Sequence, residues 1–153
     1  MKRMACLLLA VAALFLVSCR RSNLTPTWEG VLENSGTALK ISGAEVMDSV
    51  TTMYPDDGSD NSWEVRLLTA SDVPALTWEN AEPVEVTIAF AYAWDNCYRI
   101  YNTSEPIEKV DYVPLDTEDG SLCYRFDTAY SFLITVTTEQ GTDQFVLDCR
   151  RDI

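Results

Sequence analysis

Residues 84–94 impose the strongest constraint on what this chain can fold into. Val84, Val86, Ile88, Phe90, Tyr92 and Trp94 fall on one side of an extended backbone, and Glu85, Thr87, Ala89, Ala91 and Ala93 fall on the other. Helical winding would scatter the large side chains around a cylinder, so the segment reads as a strand. Asp95-Asn96 suits a two-residue turn into a second strand, Cys97–Tyr101. That turn sets Ala93 opposite Tyr98 and Ala91 opposite Ile100, with small residues making room for large ones.

The same period of two runs through most of the chain. Trp28–Leu32 and Thr37–Ile41 flank the turn-rich Glu33-Asn34-Ser35-Gly36 and predict a hairpin. Ala44–Met53 and Trp63–Thr69 predict strands on either side of the loop Tyr54–Asn61, and Ser71-Asp72-Val73-Pro74 breaks the second. Ile107–Val113, closed by Pro114, and the stretch Leu122–Phe126 are further strands. Tyr130–Thr138 and Gln144–Cys149 predict a closing hairpin around Gln140-Gly141, with Val136 opposite Phe145, Ile134 opposite Leu147 and Phe132 opposite Cys149. Many short strands separated by turn signals predict an all-β fold, a single antiparallel β-sandwich or a small barrel. Tyr130, after Asp127-Thr128-Ala129, faintly resembles a tyrosine corner, which gives the sandwich an immunoglobulin-like tendency, although no Cys follows two residues later.

The N-terminus follows a different logic. Met1-Lys2-Arg3 is basic, and Ala5–Val17 is an apolar run of about 13 residues, short of the roughly 20 that span a bilayer as a helix. This order fits a helical secretory signal. It ends in Leu16-Val17-Ser18-Cys19, which resembles the lipobox of bacterial lipoproteins: Leu, an apolar residue, a small residue, then Cys. The resemblance covers only these first residues. It implies a diacylglyceryl group on the Cys19 sulfur, cleavage before Cys19, and a mature protein anchored outside a cytoplasmic or outer membrane. The expected organisation is a signal peptide over 1–18, a lipidated Cys and tether over 19–27, and an all-β domain over 28–153. Arg20 and Arg21 in the tether would lie at headgroup level, each adding about 1 kcal/mol of attraction to anionic lipid.

Charge narrows the partners. The chain carries 11 Lys and Arg against 24 Asp and Glu; losing Lys2 and Arg3 with the signal leaves 9 against 24, a formal charge of −15. Such a surface opposes nucleic acid and favours cationic partners. There is no histidine, which excludes Ser-His-Asp and Cys-His catalysis and imidazole-based zinc sites. No metal and no cofactor is expected. Cys97, Cys123 and Cys149 remain in the mature part as disulfide candidates; one bridge at most can form, in any of three pairings.

Few residues point to chemistry. The acidic clusters Asp56–Asn61 and Asp116–Asp119 lack the spacing of a calcium loop and read as solvated turns. Phe90 and Tyr92 read as core, whereas Trp94, Tyr98, Arg99 and Tyr101 crowd one hairpin end and form a candidate binding platform. The expected role is a lipid-anchored extracytoplasmic binding or scaffolding module without catalysis, holding a basic protein or peptide, or a carbohydrate. The alternatives are an inhibitor-like lipoprotein that blocks a cationic hydrolase such as a lysozyme, and a small envelope hydrolase using paired carboxylates.

Overall fold

The computed structural model describes residues 26–43, 45–70, 74–78, 85–101, 112–116, 121–126 and 130–149. Eleven strands make up these segments: β1 (Thr27–Val31), β2 (Ala38–Ser42), β3 (Val46–Tyr54), β4 (Trp63–Ala70), β5 (Ala75–Trp78), β6 (Glu85–Trp94), β7 (Cys97–Ile100), β8 (Tyr112–Asp116), β9 (Leu122–Phe126), β10 (Ser131–Thr137) and β11 (Thr142–Asp148). The fold is all-β, as the alternation requires. It consists of a closed six-stranded barrel, β10-β11-β4-β3-β7-β6, and a five-stranded sheet, β1-β2-β5-β9-β8.

Three antiparallel hairpins build the barrel: β3–β4, β6–β7 and β10–β11. One antiparallel contact, β10 with β6, and two parallel ones, β11 with β4 and β3 with β7, join them into a ring. The small barrel that the sequence allows is therefore of mixed strand direction. Parallel pairs link segments that are distant in the chain, so no local turn announces them.

Each barrel strand contributes a buried residue to a packed lumen, Met53, Val65, Ala91, Tyr98, Leu133 and Val146, with Trp63, Leu67 and Ile100 packed against them. The next residues along β10 and β11 point outward. Phe132, Ile134, Val136, Phe145 and Leu147 are completely buried between the barrel and the five-stranded sheet, against Leu39, Ile41, Leu76, Trp78 and Phe126. One barrel wall thus serves two cores. Trp28, on the edge strand β1, also reaches across, with the Arg66 guanidinium of β4 lying 5.7 Å from its ring centroid.

Two turns interlock at one end of the molecule. The 33–36 turn closes through Leu32 N–H to the Thr37 carbonyl and Gly36 N–H to the Leu32 carbonyl, each at 2.9 Å, and Gly36 has φ +66°. It docks on the β10–β11 turn, where the Thr138 hydroxyl donates to the Ser35 carbonyl at 3.0 Å.

Several predicted boundaries move. The β10–β11 register pairs Phe132 with Leu147 and Ile134 with Phe145, two residues from the expected one. The loop is wider than Gln140-Gly141, running over 138–141 and closed by Thr138 N–H to the Gly141 carbonyl at 2.9 Å. Because the slip is two residues, the faces are unchanged. β5 is a four-residue strand with too little sequence to show a period. Most of the predicted strand Ile107–Val113 lies outside the described residues, and Pro114, expected to end it, sits within β8. β8 is a sheet edge paired with β9, where a residue without an N–H is tolerated.

Candidate functional site: an aromatic face around Arg99

The β6–β7 hairpin turns as the sequence predicts. Asp95 and Asn96 occupy the left-handed region, with φ of 50° and 67°, as a type I′ turn requires at both central positions. The register places Ala93 across from Tyr98 and Ala91 across from Ile100. The alanine side faces the lumen, so Tyr98 and Ile100 enter the barrel.

The opposite side of β6 begins as core and ends as surface. Val86, Ile88 and Phe90 pack against the inter-layer core, and Tyr92 and Trp94 lie beyond it. Tyr92 is 43% exposed and Trp94 44%, and Tyr101, which follows β7, is 59% exposed. The hairpin extends past this core and carries its large rings into solvent.

Arg99 holds this face together. Its guanidinium lies 4.7 Å from the Trp94 ring centroid and 5.2 Å from that of Tyr54, and it donates to the Pro55 carbonyl at 2.9 Å. Tyr54 meets Trp94 edge to face, with centroids 5.3 Å apart and an interplanar angle of 89°. Tyr54 arrives through the parallel pairing of β3 with β7, which aligns it with Arg99. The aromatic run continues beyond the hairpin: Phe90 contacts Tyr130 edge to face at 5.5 Å, and Tyr130 is itself exposed.

The rim is acidic. Asp57 and Asp60, in the loop after Tyr54, and Asp95, beside Trp94, are exposed. Hydrogen bonds from Ser59, and more weakly the Arg99 charge, hold the Asp57 carboxyl below its ordinary value. Asp57 Oδ1 accepts the Ser59 backbone N–H at 2.9 Å. Among the described residues, no three acidic or thiol side chains converge as a metal site would require.

Of the four platform candidates, Trp94, Arg99 and Tyr101 share the exposed face. Tyr98 does not. It is buried in the lumen, where its hydroxyl donates to Asp148, and the Ser131 hydroxyl donates to the other Asp148 oxygen at 3.0 Å. The alternation itself carried this signal, since residues 98 and 99 must face opposite ways. Tyr92, read as core, is surface because it lies beyond the inter-layer core that Val86, Ile88 and Phe90 pack against. Tyr54 could not be found from sequence, because a non-local parallel pairing delivers it.

The cysteine candidates are three free thiols. Cys97 is half-buried at the hairpin turn, Cys123 is buried in β9, and Cys149 is buried in the inter-layer core. Cys19, the proposed lipidation site, lies outside the described residues.

Away from this face, an open groove of about 460 Å³ runs beside the interlocked turns and includes Glu33, Glu64, Arg66, Trp63 and Asp143 in its lining. Its Asp143 carboxylate is already engaged. It accepts the backbone N–H groups of Asn34 and Ser35 at 3.2 and 2.6 Å and the Asn34 side-chain amide at 3.1 Å. Partial burial pushes the Asp143 carboxyl up, but the hydrogen bonds from Ser35 and Asn34 outweigh it and hold the group below its ordinary value. This acid is a structural clamp.

With this geometry in hand, comparison with known proteins adds no relative. The chain matches no family model, no curated protein and no solved structure.

Proposed function

We propose that the protein is a lipid-anchored, extracytoplasmic binding module of a bacterial envelope, working without catalysis through the aromatic face of the β6–β7 hairpin. The observation that carries this reading is the exposed set of rings, Tyr92, Trp94 and Tyr101, set around an Arg99 already clamped by Trp94, Tyr54 and Pro55. Large apolar rings left in water favour association, and rings held in place by neighbours lose little freedom when a partner arrives. The anchor rests on Leu16-Val17-Ser18-Cys19 and the basic-then-apolar stretch before it.

Intact mass of the protein taken from its native membrane, paired with oxidative footprinting, tests both halves. The expected mass begins at Cys19 and includes acyl groups, and Trp94 and Tyr101 are expected to be protected in the membrane and reactive after purification. A mass retaining residues 1–18, or lacking lipid, overturns the anchor; equal reactivity in both states overturns the binding face.

A second reading, an inhibitor of a cationic hydrolase, draws on Asp95, which stands exposed at the tip of the same hairpin. It predicts that the purified protein slows a lysozyme and that Asp95→Asn removes the effect, whereas a plain docking face leaves lysozyme activity untouched.

A further inference from the structure

We infer that the aromatic face docks a basic, arginine- or lysine-bearing segment of a protein partner, a statement that rests on the binding-face reading above and names its occupant. Arg99 itself shows what these rings accept: a guanidinium stacked on Trp94 and Tyr54. That contact occupies one cation on one part of the face. Tyr92, Tyr101 and the outer part of Trp94 stay uncovered and present the same electron-rich surfaces.

Charge complementarity selects among occupants. Asp56, Asp57 and Asp60 follow Tyr54 in the loop whose Pro55 carbonyl receives Arg99, and Asp95 adjoins Trp94 on the turn. Asp57 feels the Arg99 charge, and the other three carboxylates lie on the same loop or on the adjoining hairpin turn. The whole chain, with 24 acidic and 11 basic residues, adds a long-range field of the same sign. A neutral sugar would stack on the rings but gain nothing from this field, and an acidic sugar would be repelled by it. A cationic segment gains from the rings, the rim and the field together, and electrostatic steering raises its association rate.

The test uses the full chain in detergent and two probes, an alternating Arg/Gly peptide and a chitin oligosaccharide, titrated calorimetrically at physiological ionic strength. Trp94→Ala and Tyr101→Ala alter exposed side chains, and unchanged unfolding midpoints verify that they fold. Each is expected to weaken peptide binding about tenfold, as a buried aromatic anchor should. The double variant Asp57→Asn/Asp95→Asn is expected to weaken it similarly and to flatten its salt dependence. Glu139→Gln is the charge control and is expected to change affinity less than about twofold; it follows β10, whose Thr137 pairs with Glu85 at the end of β6 remote from Trp94. Peptide affinity that is absent, or that falls no further with Trp94→Ala and Tyr101→Ala than with Glu139→Gln, overturns the inference. Trp94-dependent binding of the oligosaccharide without the peptide also overturns it but leaves the binding face standing. Failure of both probes, joined to equal footprinting in membrane and solution, removes the face as well.

Discussion

Tyr98 shows how one hydroxyl can decide the inside of a barrel. Its ring fills the lumen among Met53, Ala91, Leu133 and Val146, and its hydroxyl donates to Asp148, a carboxylate only 2% exposed. A buried carboxylate needs donors, and Ser131 is another. Tyr98→Phe keeps the ring and removes a donor, so urea unfolding is expected to show a loss of about 1–3 kcal/mol. Binding at the aromatic face should be unchanged, because Tyr98 points away from it. The thiols divide in a similar way. Burial, and then the neighbouring Asp148 charge, push the Cys149 thiol far above its ordinary value. A buried thiol that does not ionise does not alkylate. Peptide mapping after brief iodoacetamide treatment of the native protein is expected to find Cys97 labelled, and Cys123 and Cys149 labelled only after denaturation.

At the scale of elements, the sequence revealed faces better than neighbours. The alternation in β6 and the Asp95-Asn96 turn specified a hairpin down to its register, because both signals are local. The β10–β11 hairpin was found with correct faces but a shifted turn, since its loop is held by contacts with the 33–36 turn. Gly141 illustrates the dependence: a Cβ there would fall 2.7 Å from the Asn34 carbonyl oxygen. Asp143 is the other half of that lock, and its carboxyl ionises more easily folded than unfolded. The sign follows directly. A depressed acid stabilises the fold above its unfolded value near 3.8, and that contribution disappears as pH falls through the lower folded value. Asp143→Asn is therefore expected to lower stability at neutral pH, by about 1–2 kcal/mol. It should also flatten the stability profile below about pH 4. Denaturant midpoints measured for both proteins from pH 2.5 to 7 would check this.

The molecule as a whole is organised by a wall with two working sides. Along β10, Phe132, Ile134 and Val136 enter the inter-layer core while Leu133 enters the lumen, and along β11 Phe145 and Leu147 alternate with Val146 in the same way. Neither core can lose its packing without moving strands that bound the other. That coupling, and the ring closure that creates the lumen, were not legible in the sequence, because an alternating strand says which residues share a side and not that both sides will be covered. Two otherwise similar truncations can expose it. Phe132→Ala opens the inter-layer core and is expected to cost about 3–5 kcal/mol, and Leu133→Ala opens the lumen at about 2–5 kcal/mol. If the wall couples the cores, each variant unfolds in one transition, with near-ultraviolet and far-ultraviolet circular dichroism coincident and both midpoints lowered. A barrel independent of the sheet would instead give Phe132→Ala an early loss of tertiary signal followed by a separate barrel transition. Coincidence would also bear on the aromatic face, since it would mean that the exposed end of β6 is held as firmly as the wall it extends from.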